Sequence, residues 1–404
     1  MGEISKKVYW WASAGIISLL LLLASLALIV PRVVSSAWLK EKIQSSAAKQ
    51  LQGDFDFQEA ELSLLPVPAV GLLQVSLVIP GTARIQIKTL TVYPRLLPLL
   101  VGDVVIAKTV IETPDFTLPI PRKSWEKGDG GKDISVSGAM DTIFTKLVPI
   151  LSAFPSLDGA VRNGTLRLLA GDEEKFQFHD INASFAGNVD DLTAAISCTS
   201  NIWQSMEMQA TLAAASRKGQ GKISLQNTDG KVLTDYFWQD KSPYMEESFP
   251  SLDAAFSFNP ETGLTADVQS AGSSFTAQQG NETVTIQVES LKGSLQFSDP
   301  SSSIRVDDLI LSSPRVQMNG SLMLDHSIPR ATLNIASRNA DIENLSEVVP
   351  VFLEELFGDQ PVVRKIFDIT RGGTITQANF HVEGKSAADL GVFQAMQIQG
   401  QVKK

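Results

Sequence analysis

Side chains able to do chemistry are few in this chain, and their spacing works against them. Its 404 residues include three histidines, His179, His326 and His381, and one cysteine, Cys198. Metal binding and acid–base catalysis need such groups at set intervals, and no ligand spacing is present. One thiol forms neither an internal disulfide nor a C-x-x-C redox pair. Cys198 alternates with Ile196 as a buried strand residue would. Asp172-Glu173-Glu174 after Gly171 reads as a solvated hairpin tip, because a calcium loop needs alternating oxygen ligands and a later Glu. Asp190-Asp191 and Asp307-Asp308 read as turns. The nucleophile-elbow, zincin, P-loop and dinucleotide motifs are missing from the sequence. The residues predict no enzyme, no cofactor and no metal.

The elements that carry these residues begin with an apolar run. Residues 8–30 contain no charge and include Leu19, Leu20, Leu21, Leu22 and Leu23, with Trp10 and Trp11 near the start. A hydrocarbon core of ~30 Å takes about 20 helical residues, so this run is long enough to span. The indoles would sit at the headgroups. A cleaved signal peptide would have a shorter apolar stretch, about 7–15 residues. Lys6 and Lys7 hold the short tail 1–7 on the cytoplasmic side, and the long remainder is expected across the membrane. Residues 36–52 then read as a short helix with Trp38, Leu39, Ile43, Ala47 and Leu51 recurring near helical spacing.

From Asp54 the period changes to two. Ile85 and Ile87 alternate with Arg84, Gln86 and Lys88, Met206 and Met208 with Glu207 and Gln209, and Val284 and Ile286 with Thr283, Thr285 and Gln287. Such runs put one face in an apolar environment and one in water. Turn signals separate them at Arg162-Asn163-Gly164, Thr228-Asp229-Gly230, Asn259–Gly263, Gln279-Gly280-Asn281 and Asn319-Gly320. Three further helices are expected, at 95–101, 139–152 and 344–367. A Gly-rich charged stretch, 127–138, reads as a linker between a first module, 36–126, and a β-rich body, 139–404.

Composition agrees. Charged residues are only 19% of the chain, and the polar remainder suits exposed strand faces. The net charge of −10 argues against nucleic acid, whose phosphates need a basic surface.

Residues 62 to about 125 resemble the N-terminal region of the AsmA family of bacterial envelope proteins. The likeness rests on Leu62-Ser63-Leu64-Leu65-Pro66, Val70-Gly71-Leu72, the alternating strand 83–92, Tyr93-Pro94-Arg95-Leu96-Leu97-Pro98 and Glu112-Thr113-Pro114-Asp115-Phe116. The resemblance implies a single-pass protein of the Gram-negative inner membrane with its body in the periplasm. It implies an elongated, antiparallel β-sheet curled into a trough whose apolar floor carries lipid. Floor positions would be Ile85, Ile87, Phe116, Leu118, Met206, Met208, Phe256, Phe258, Val284 and Ile286. Partners would be membrane lipids and, on the alternative reading of an outer-membrane assembly scaffold, other envelope proteins bound at sheet edges. A packed β-sandwich core would use the same residues, and alternation alone does not separate the two.

Overall fold

A computed structural model describes residues 54–403, apart from 120–139, 233–245, 349–371, 387–395 and several shorter gaps. The anchor with Trp10, Trp11 and Leu19 to Leu23, the helix 36–52 and the linker therefore lie outside the described residues. Among the described residues, no helix is long and apolar enough to cross a membrane.

What is described is mostly β, in eighteen strands, and it divides into two compact units. The first unit contains β1 (Asp54–Asp56), β2 (Glu59–Ser63), β3 (Ala69–Ile79), β4 (Ala83–Pro94), β5 (Ile106–Pro119) and β6 (Leu157–Ala170). β1 and β2 lie end to end along the same edge of β3, both antiparallel to it. β3, β4 and β5 form a meander, and β6 joins β5 in parallel. A parallel neighbour needs a crossover, which the chain between β5 and β6 supplies. The core here gathers Phe57, Ala60, Leu72 and Val75, with Phe55, Val70, Ile87 and Leu90 against them.

That core spans a break in the strand alternation. Gln74, Thr113 and Asn163 all have left-handed φ, at 51°, 48° and 51°. The flanking pairs Leu73↔Thr89, Val75↔Ile87, Glu112↔Arg162 and Asp115↔Thr165 place these three in one line across the sheet, with Lys88 of β4 between the first two. Each left-handed residue shifts the alternation by one, so Leu72 and Val75 fall on the same face although an odd number separates them. The Arg162-Asn163-Gly164 signal is therefore a bulge inside β6 and not a turn. The same residue types serve both, because both need a residue that tolerates positive φ.

The second unit holds most of β7 (Glu173–Gly187) and all of β8 (Leu192–Ser200), β9 (Trp203–Ala213), β10 (Lys218–Asp229), β11 (Glu246–Asn259), β12 (Gly263–Gln279), β13 (Glu282–Phe297), β14 (Ser301–Ser313), β15 (Arg315–Asp325), β16 (Arg330–Asp341), β17 (Thr374–Gly384) and β18 (Met396–Lys403). From β8 to β18 every strand pairs antiparallel with the next in sequence. β12 runs 17 residues and β13 runs 16, against a usual five or six, so each strand presents a long ladder of side chains.

Asn319-Gly320 also lies inside a strand, β15, not at a turn. Gly320 is there because a Cβ would come 2.7 Å from the Asn334 carbonyl oxygen of the neighbouring strand. Asp307-Asp308, read as a turn, lies inside β14 where its register with β15 shifts, and the other turn signals fall between or at the ends of strands. Of the expected helices, residues 140, 144–145, 148 and 151–152 are helical, and the last one begins at 342 and is described through 348. Within 95–101 only Arg95 and Pro98 are described, and Pro98 is helical.

Candidate functional site: a laddered apolar face

Directly paired residues of antiparallel strands share a face, so the registers trace rungs across the second unit. One rung reads Ile196, Met208, Ile223, Ala254, Val268, Gly293, Val306, Gly320, Ile335, Phe380 and Ile398, one residue from each strand β8 to β18. The rung beside it reads Ala194, Ala210, Gly221, Phe256, Ala266, Leu295, Ile304, Leu322, Leu333, Val382 and Met396. Neither contains a polar side chain. At ~4.8 Å between strands, eleven strands carry this apolar surface for about 48 Å. On the opposite face the corresponding rung is polar, formed by Glu207, Ser224, Asp253, Gln269, Lys292 and Asp308.

The exposure of the apolar face separates an open surface from a closed core. In a packed sandwich its large side chains would be buried. Instead Met206, Met208, Ile223, Phe256, Leu295, Leu322, Leu333 and Phe380 are only half-buried. Ile304 and Ile335 keep 41% and 37% of their surface exposed.

Two helical segments cover parts of the face. Phe144 is buried and stacks on Phe258, with ring centroids 5.6 Å apart. Residues 140, 144, 148 and 151 follow helical spacing and so share one side. The 342–348 helix sets Leu345 against the cluster of Val288, Leu311, Val316 and Ala340, and its Val348 belongs to one apolar cluster with Phe275, Val284 and Ile286. Its first turn is capped by Asp341, whose Oδ1 accepts the Glu343 N–H at 3.0 Å.

All ten residues expected on the apolar floor lie on an apolar face. In the first unit Ile85 pairs with Phe116, and Leu118 follows Phe116 on the same side. In the second, Met206 and Met208 pair with Leu225 and Ile223, and Phe256 and Phe258 pair with Ala266 and Leu264. Of the ten, Phe258 alone is buried, and the other nine are half-buried. Period two marks Ile304, in alternation with Val306, but neither Ile304 nor Ile335 is among the expected floor positions.

A cavity of about 740 Å³ opens on the polar face and is lined by Glu207, Lys222, Asp253, Asp267, Lys292 and Asp307. Exposed charges of both signs make it a solvated surface, unfit for an apolar ligand. The histidines do not converge. His179 is exposed beside Gln177, His381 contacts Asn334 and Glu383, and His326 lies outside the described residues. Among the described residues, no three His, Cys, Asp or Glu side chains are grouped to hold a metal.

A long antiparallel sheet with one open apolar face defines a class of β-rich surface suited to apolar ligands. The family model of the AsmA family matches residues 6–129, a stretch that ends between β5 and β6. No curated protein and no solved structure matches the chain.

Proposed function

We propose that this chain is a non-enzymatic lipid-handling protein of the Gram-negative cell envelope. Residues 8–30 anchor it in the inner membrane, and the β-rich body stands in the periplasm. The observation that carries the reading is the pair of unbroken apolar rungs from β8 to β18, most of whose large side chains, Val382 excepted, are not fully buried. Acyl chains partition onto such a surface with about 0.8 kcal/mol per buried CH₂. They need no hydrogen bonds, and the rungs offer none. A lipid displaced along a uniform rung exchanges one apolar contact for another, so lateral movement requires no chemistry from this chain. Phospholipid is the substrate and membrane lipids are the partners. The AsmA-family match supports the location.

The test is photo-crosslinking in the full-length chain, expressed in a Gram-negative host. A photoreactive residue at Phe116, Met208 or Phe256 is expected to capture phospholipid, and one at Glu207 on the polar face is not. If all four positions capture only protein, or nothing, lipid handling is wrong. The scaffold reading, in which sheet edges bind other envelope proteins, then takes its place.

A further inference from the structure

Five large apolar side chains are exposed among the described residues, and four of them fall in one window of three adjacent strands. These are Ile304 on β14, Met323 on β15, Ile328 at the β15–β16 turn and Ile335 on β16. Only Ile304 and Ile335 lie on the apolar face. The pairs Ile304↔Leu322 and Val306↔Gly320 place Leu322 and Gly320 between them. Met323 pairs with Ser303 and Thr332 on the opposite face.

We propose that this stretch of β14 to β16 is the portal through which an acyl chain reaches the apolar face. The proposal rests on the lipid-handling reading and adds to it a place and an order of events. Helical segments already sit on Phe258, through Phe144, and on the cluster of Val288 and Leu311 against which Ile286 also packs, through Leu345. Solvent reaches the face most freely at Ile304 and Ile335, where Gly320 between them contributes no side chain. Ile335 and Met208 belong to the same rung, seven strand spacings or about 34 Å apart. A chain admitted at Ile335 therefore meets continuous apolar surface all the way to Met208.

The chemistry of the patch selects its occupant. Protein interfaces are anchored by Trp, Tyr and Arg and carry about one hydrogen bond per 100–200 Å². Ile304, Leu322, Leu333 and Ile335 supply aliphatic carbon only. That suits a flexible hydrocarbon chain and gives a folded partner no polar contact to orient it.

The experiment keeps the full-length chain and reads phospholipid captured by a photoreactive residue at Met208. The double variant Ile304→Glu, Ile335→Glu is expected to lower that capture at least tenfold. Ile304→Val with Ile335→Val is expected to leave it within twofold. Met323→Glu, equally exposed on the other face, is also expected to leave it within twofold. The glutamates sit at exposed positions, so the variant should keep its unfolding transition, and limited proteolysis checks this. Photoreactive residues at Ile304 and Ile335 should themselves capture lipid, whereas capture of protein there would make the patch a protein interface. Unchanged capture at Met208 in the glutamate variant overturns the portal and leaves lipid handling intact. No lipid at Met208 in the unaltered chain removes lipid handling itself.

Discussion

Phe144 stacks on Phe258 with an interplanar angle of 24°, and the two rings are among the most buried side chains in the second unit. The contact ties a helical segment far earlier in the sequence to β11. Truncating either ring leaves a cavity that a sheet cannot close by collapse. Phe144→Ala should therefore destabilise the fold by ~3–5 kcal/mol. Phe256→Ala, two residues from Phe258 on the same face but half-buried, should cost less than half as much. Urea unfolding of both variants checks the ratio, and equal losses would mean that the face is packed uniformly.

The second unit repeats the left-handed line of the first. Asn227 has φ 49° and Gly272 φ 68°. The pairs around them, Gln226↔Ser251, Thr228↔Phe249 and Ser251↔Ala271, place both beside Pro250 of β11. A Cβ at Gly272 would meet only Pro250 Cγ, at 3.6 Å. Space is available, so the cost of a side chain there is the backbone conformation itself. Gly272→Ala should destabilise by ~1–2 kcal/mol, and a β-branched residue by more. Asn227→Gly should lie within ~0.5 kcal/mol of the parent, since Gly adopts positive φ freely. Chemical denaturation of the three variants reads these directly.

These lines explain which parts of the fold were legible. Within any one strand, period two identified the apolar face, and Ile85, Met208 and Phe256 all lie where it put them. Register was not legible. It depends on which residue opposes which, and Ile196 and Ile398, at the two ends of one rung, are more than two hundred positions apart. Asn163-Gly164, a bulge, and Asn319-Gly320, regular strand, were both misread because they carry the residue types of a hairpin turn. Only the neighbouring strand shows why they are needed. For the site, sequence showed which side chains are apolar but not which are covered. That depends on the helical segments that land on Phe258 and on the cluster of Val288 and Leu311.

Cys198 is buried on β8 and pairs with Met206 of β9. Desolvation raises its thiol pKa above the ordinary value, with the Trp203 side chain pulling the other way. The thiol stays protonated at neutral pH, and only the thiolate is nucleophilic. Alkylation of the native protein should be at least tenfold slower than in urea, by mass spectrometry over a time course. Because the folded pKa is raised, stability should also fall as pH rises past the unfolded thiol's pKa, where only the unfolded chain readily ionises. Rapid native labelling would place Cys198 at an exposed position.

The β16–β17 pair carries the one resolved carboxylate shift among the described residues. Arg330 holds Glu383 Oε1 at 2.7 Å, and His381 Nε2 lies 3.4 Å from the same oxygen. The hydrogen bond and charge of Arg330 lower the Glu383 pKa, and His381 adds to the effect when protonated. The folded pKa lies below the unfolded one, so the interaction stabilises the fold above the unfolded carboxylate's pKa. It is lost as pH falls through the folded value. Both partners are largely solvated, so the effect on stability should be small and weakened by salt. The sharper readout is the carboxylate itself, followed by NMR. Arg330→Met should move the Glu383 midpoint upward toward an ordinary glutamate, and His381→Gln should move it less. An unchanged midpoint in Arg330→Met would mean that the ion pair does not persist in solution, and that β16 and β17 are held without it, by their backbone ladder and by pairs such as Leu333–Val382 and Ile335–Phe380.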